Sequence, residues 1–178
     1  GTQYMRRLSD NFPRSKYKTR ANLAIAEFYF DQKNVTIARE FYDRVLADKT
    51  FEQRTYALYK RGFANYNDEK YEDSIRDFKQ MIKESGAGKV NLRTKGLAAL
   101  VTSFAEVEDG WQRAKAYFQS QGDEKFVRSK LQQMAKILMK NGSDADELAV
   151  YEHLVALDAK HPAIAEYAEY ITKNYNRR

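Results

Sequence analysis

The stretch ALYKRGFANYNDEKYEDSIRDFKQMI, Ala57 to Ile82, decides the fold. It reads as two short helices joined by the polar turn Asp68-Glu69-Lys70. Leu58, Gly62 and Tyr66 recur along one helical face, and Ile75, Phe78 and Ile82 along the next. The small residues Gly62 and Ser74 stand where two such helices would have to touch. A helix pair this short cannot bury its apolar face alone, which predicts stacking against further copies of itself.

A second copy lies upstream. ANLAIAEFYFDQKNVTIAREFYDRVL, Ala21 to Leu46, places Ala26 over Gly62, Ala38 over Ser74 and Tyr42 over Phe78, each at an offset of 36. Within each copy the two small residues are 12 apart. A weaker third copy has Thr102 and Ala114 at the same separation of 12, with Phe118 four residues on. The fourth has a first helix carrying Leu131, Met134, Ala135 and Leu138. Either Glu147 or Ala149 takes the small position in its second helix.

These residues resemble the tetratricopeptide repeat, whose pattern runs W-x2-L-G-x2-Y, A-x3-F, P. The second copy matches with Leu58-x2-Arg61-Gly62 and Ser74-x3-Phe78. The first matches with Ile25-Ala26-x2-Tyr29 and Ala38-x3-Tyr42. It departs in lacking the Trp and the closing Pro, and in carrying Arg61 where Leu is usual. The resemblance implies an all-α, right-handed superhelical solenoid of about four helix pairs over residues 17–48, 54–85, 91–121 and 124–159. Residues 3–12 read as the end of a preceding repeat, with Tyr4, Leu8 and Phe12 on one stripe, and 163–175 as a capping helix with Ile164, Tyr167, Ala168 and Ile171 inward. The whole is a single solenoid domain that opens Gly-Thr without Met, so it reads as part of a longer chain.

Phe12-Pro13-Arg14-Ser15-Lys16-Tyr17 is similar to linkers of bacterial envelope tetratricopeptide proteins, of the outer-membrane assembly lipoprotein and Tol–Pal-associated types. That likeness implies a periplasmic or cell-envelope setting, with the cytoplasm as the alternative. With no cysteine among 178 residues, disulfides and thiolate chemistry are excluded. No apolar run is long enough to span a membrane.

Nothing in the chain has the spacing of a catalytic, cofactor or metal site, so no enzyme, cofactor or metal is expected. His153 and His161 are the only histidines, eight residues apart, and His161 is expected to face a helix C-terminus. Ser15-Lys16-Tyr17-Lys18 lacks the partners that give S-x-x-K meaning. Gly86-Ala87-Gly88-Lys89 follows no strand and reads as a loop. Asp144-Ala145-Asp146-Glu147 fits a helix start. Asn34-Val35-Thr36 and Asn141-Gly142-Ser143 match the glycosylation pattern but read as turn chemistry.

The resemblance also implies a concave groove lined by the first helices of successive pairs, where a protein or peptide segment binds. Carried over, its residues are Phe30 in the first copy, Tyr56, Tyr59, Phe63, Tyr66 and Asn67 in the second, and Gln132 and Lys136 in the fourth. Exposed aromatics make good anchors, and Lys136 would suit an acidic or carboxylate group. The net charge of +6 is uneven: Arg6, Arg7, Arg14, Lys16, Lys18 and Arg20 cluster early, Arg128, Lys130, Lys136 and Lys140 later, and residues 141–170 are acidic. That pattern allows an acidic partner, head-to-tail self-association or, as the alternative function, binding of nucleic acid or another polyanion. The basic residues share no stripe with stacking aromatics, which makes nucleic acid the poorer fit.

Overall fold

The computed structural model describes residues 17–86, 90–158 and 160–177, together with Tyr4, Arg7, Asp10, Asn11 and Ser15. Tyr4, Arg7, Asp10 and Asn11 are helical. The rest of the expected 3–12 helix, including Leu8 and Phe12, lies outside the described residues, as do most of the Phe12–Tyr17 linker and residues 87–89 of the Gly86–Lys89 loop. The described secondary structure is entirely α-helical. The helices are α1 (Lys18–Asp31), α2 (Val35–Leu46), α3 (Arg54–Asn67), α4 (Tyr71–Ser85), α5 (Val90–Phe104), α6 (Gly110–Gln119), α7 (Glu124–Asn141), α8 (Asp144–Leu157) and α9 (Ile164–Arg177). They fall into two compact units, Gly1–Ser103 and Phe104–Arg178.

In the first unit α1 packs on α2, α2 on α3 and α3 on α4. The turns show why the pairs repeat. Lys33 and Glu69, 36 residues apart, both adopt the left-handed backbone conformation, with φ of 59° and 57°. Each lets the next amide reach back to the helix it leaves: Asn34 N–H bonds Tyr29 O at 2.9 Å, and Lys70 N–H bonds Asn65 O at 2.9 Å. Orphan carbonyls at the helix end are thereby satisfied within the turn. Asn34 then caps α2, its Oδ1 accepting from Ile37 N–H at 3.3 Å, which is the turn role read for that residue.

The apolar faces close over these turns. Ile25, Ala26, Ala38 and Tyr42 are fully buried in the first pair, and Leu58, Ile75, Phe78 and Ile82 nearly or fully so in the second. Burial of each large apolar side chain contributes roughly 1.5–3 kcal/mol. Gly62 admits the Phe78 ring, as the spacing predicts, since a Cβ there would lie 2.6 Å from it. Ser74 works differently. Its hydroxyl meets Ser103 Oγ on α5 at 3.0 Å, so its small size serves the next helix along rather than Gly62.

In the second unit α6 packs on α7, α7 on α8 and α8 on α9. Phe118, Leu131, Met134, Leu138, Val150, Tyr151, Leu154 and Tyr167 form its core. The α7–α8 turn repeats the chemistry of the first unit with a glycine: Gly142 has φ of 75°, and Ser143 N–H bonds Leu138 O at 2.9 Å. Of the two candidates for the small position of α8, Glu147 is the buried one. Its Oε2 accepts from Asn174 Nδ2 of α9 at 3.0 Å.

Three expectations change. Ala168, expected on the inner face of α9, is exposed. Thr102 is half-exposed, while Gly96, Ala99 and Ser103 are the buried small residues of α5. The turn between α5 and α6 has five residues, 105–109, against three at 32–34 and 68–70, so the 12-residue spacing shifts there. His161 does not face a helix C-terminus. Its Nδ1 accepts from Ala163 N–H at 3.2 Å, and its ring lies parallel to Tyr167 at 6.2 Å, at the entry to α9.

Candidate functional site

The first helices of the two leading pairs, α1 and α3, are joined by side-chain contacts. Tyr56 on α3 donates its hydroxyl to Glu27 Oε1 on α1 at 2.7 Å. One turn on, Lys60 Nζ lies 4.2 Å from the centre of the Phe30 ring, a cation–π contact. Burial, then the bond to Glu27, pushes the Tyr56 phenol up to about 12. The two contacts fix α1 against α3 along one face.

Tyr59 and Phe63 share the exposed side of α3. Their rings meet edge to face at 4.9 Å, and both pack on Phe78, Phe63 at 5.1 Å and Tyr59 at 6.1 Å. Neither is fully buried. The result is a rigid aromatic ridge with one side on the core and one open, the arrangement that gives interface anchors their low entropy cost. Burial raises the Tyr59 phenol above its ordinary value.

The other expected residues divide. Tyr66 turns to its own pair and packs edge to face on Tyr71 at 5.4 Å, and Asn67 is exposed at the last position of α3. Both stand at the turn end of the helix, beyond Phe63. In the second unit, Gln132 on α7 donates its side-chain amide to the Tyr167 hydroxyl on α9. Lys136, one turn along α7, is exposed. Helical periodicity had no means of finding Glu27–Tyr56, Phe30–Lys60 or Gln132–Tyr167, because each joins different helix pairs.

Two of the basic residues are less available than the sequence suggests. Arg128 is buried, its guanidinium bonded to Glu124 at 3.1 Å and to the Leu154 carbonyl at 3.4 Å. It closes α7 onto α8. Partial burial lowers the Lys130 ammonium from its ordinary value, and its Nζ lies 5.7 Å from the Phe126 ring centre. Arg20 is exposed and pairs with Glu52 at 2.5 Å. No group of three or more His, Asp or Glu side chains among the described residues is placed to hold a metal. No described helix is long and apolar enough to cross a membrane.

No protein-family model and no curated protein matches the chain. Among solved structures, a Podosopora anserina protein described as a "putative kinesin light chain" with nearly identical TPR-like repeats is similar, with a TM-score of 0.42 and 14% identity. That similarity covers 92% of this chain and 88% of the other.

Proposed function

We propose that this chain is a non-catalytic protein-interaction scaffold that binds an extended or helical partner segment along the face shared by α1 and α3. The observation that carries the reading is the Tyr59–Phe63 ridge, backed by Phe78 and flanked by the Glu27–Tyr56 and Phe30–Lys60 contacts. Rings fixed by a core yet open on one side lose little entropy on binding. Tyr66 and Asn67 extend the surface toward the turn. In the second unit, Gln132 and Lys136 offer a polar surface for an acidic group. The sequence resemblance to envelope tetratricopeptide proteins supports a bacterial periplasmic or cell-envelope setting, and the uneven charge supports an acidic partner and self-association.

The test compares proteins retained from native lysate by the wild type, Tyr59→Ala/Phe63→Ala and Lys60→Glu. The double variant removes the ridge. Lys60→Glu leaves the packing on Phe78 intact while reversing charge beside Phe30. Loss of the same protein from both variants, with helicity retained by circular dichroism, supports the scaffold reading. Retention by both sinks it. Polyanion binding is the second reading, and a salt-sensitive shift of random oligonucleotides would favour it.

A further inference from the structure

The second copy carries an ion pair where the first and fourth copies are apolar. Arg61 of α3 lies 36 residues beyond Ile25, and Asp77 of α4 lies 36 beyond Phe41. In the fourth pair the corresponding residues are Met134 and Val150. All four apolar residues are buried. Arg61 forks onto Asp77 through Nε at 2.8 Å and a terminal nitrogen at 2.5 Å. Asp77 is 2% exposed and accepts a further bond from Asn65 Nδ2 at 2.9 Å. Burial pushes against charge on both partners. It raises the Asp77 carboxyl despite Arg61, while the bonds to Asp77 hold the guanidinium cationic. Well-packed apolar residues are commonly as stable as a buried ion pair or more so. Stability therefore gives no reason for this one.

The pair opens on a cleft of about 490 Å³ lined by α2, α3 and α4. Arg39, Lys70 and Arg76 join Arg61 around it. Arg39 and Lys70 reach the same oxygen of Asp68, at 2.8 and 2.9 Å, and so stand close together. Glu40, Asp43 and Asp73 complete the charged rim, and Asp73 is engaged by Arg76. The remaining edge of Arg61 meets Asp43 at 2.5 Å, and the Asp43 side chain is 62% exposed. A contact that exposed is screened and readily exchanged. The Asp77 side of Arg61, by contrast, is fixed.

We propose that this cleft binds a single carboxylate of a protein partner, flanked in the partner by basic residues, and that Asp43 occupies the guanidinium edge until that carboxylate displaces it. Arg39 and Lys70, held by Asp68, and Arg76, held by Asp73, line the approach to the Arg61 edge. The acids on the rim favour basic flanks and repel a polyanion carrying charge at every step. Arg61 and Phe63 point about 200° apart around α3. The cleft and the aromatic ridge are therefore separate surfaces, and either stands without the other.

The test is an NMR titration of the full chain with a capped Gly-Lys-Glu-Lys-Gly peptide and its Gly-Lys-Gln-Lys-Gly counterpart. The Arg61 Nε–H and Asn65 amide signals, held by Asp77, report binding. The glutamate peptide is expected to shift them and the glutamine peptide to leave them in place. Asp43→Asn should tighten binding roughly two- to fivefold, the worth of an exposed ion pair. Arg61→Ile/Asp77→Phe, which gives the second copy the residues of the first, should abolish binding with helicity retained. Lys70→Gln/Arg76→Gln should weaken it without touching the buried pair. Equal shifts from both peptides, no gain from Asp43→Asn, or tighter binding of an oligonucleotide at the same signals would overturn the proposal.

Discussion

The Phe78 ring lies 2.6 Å from where a side chain on Gly62 would begin, and it has no room to retreat. Phe78 is fully buried beneath Tyr59 and Phe63. Gly62→Ala should therefore destabilise the protein by about 1–3 kcal/mol despite alanine's better helix propensity. Chemical denaturation reads this directly. An unchanged midpoint would mean that α3 and α4 pack less closely than described.

Lys33 and Glu69 hold left-handed backbone that non-glycine residues adopt at a cost of roughly 1–2 kcal/mol. Glycine already fills the equivalent place at Gly142. Glu69→Gly should be neutral or stabilising by up to about 1 kcal/mol, the strain relieved outweighing the entropy glycine adds to the unfolded chain. A drop in melting temperature of several degrees would refute this. The same change at Glu72, inside α4, should destabilise.

Much of the fold was legible because it is local. Apolar faces, small residues at fixed spacing and polar turns all repeat within one helix pair, and Ala26, Gly62 and Ala38 lie buried at the positions their spacing gives. What was not legible joins one pair to the next. Ser74 reads as a contact within its pair but reaches Ser103. Arg61 was visible as a departure from the repeat, yet nothing in the alternation marked Asp77 as its buried partner, since an acid on a helix ordinarily faces water. The face of α3 could be read, and Tyr59 and Phe63 lie on it. The contacts that tie it to α1 could not.

Tyr42 is fully buried, and its hydroxyl makes no hydrogen bond among the described residues. Burial, then the nearby Glu27, holds the phenol far above its ordinary value. A buried hydroxyl without a partner costs desolvation and returns little. Tyr42→Phe should leave stability unchanged or raise it by up to about 1 kcal/mol. A clear loss would show that the hydroxyl has a partner, such as a bound water.

Tyr56 gives a pH dependence. Its folded value of about 12 exceeds the ordinary 10.0, so the folded state favours the protonated phenol that bonds Glu27. That stability is complete below pH 10 and is lost as pH rises through about 12. Burial raises Tyr42 and Tyr151 in the same direction, so the wild type should lose stability steeply there. Tyr56→Phe should be less stable near pH 8 but show a shallower decline. Parallel curves would contradict the assignment.

The most direct test of the scaffold reading is quantitative capture from native lysate by the wild type and by Lys60→Glu, with melting temperatures measured alongside. Lys60 lies over the Phe30 ring beside the ridge, outside the ring packing of Tyr59 and Phe63 on Phe78. The account predicts a protein retained by the wild type and lost or reduced at least tenfold with Lys60→Glu, with stability lowered by no more than about 1 kcal/mol, the worth of the lost cation–π contact. An undiminished yield of the same protein, with Tyr59→Ala/Phe63→Ala equally competent, would contradict it.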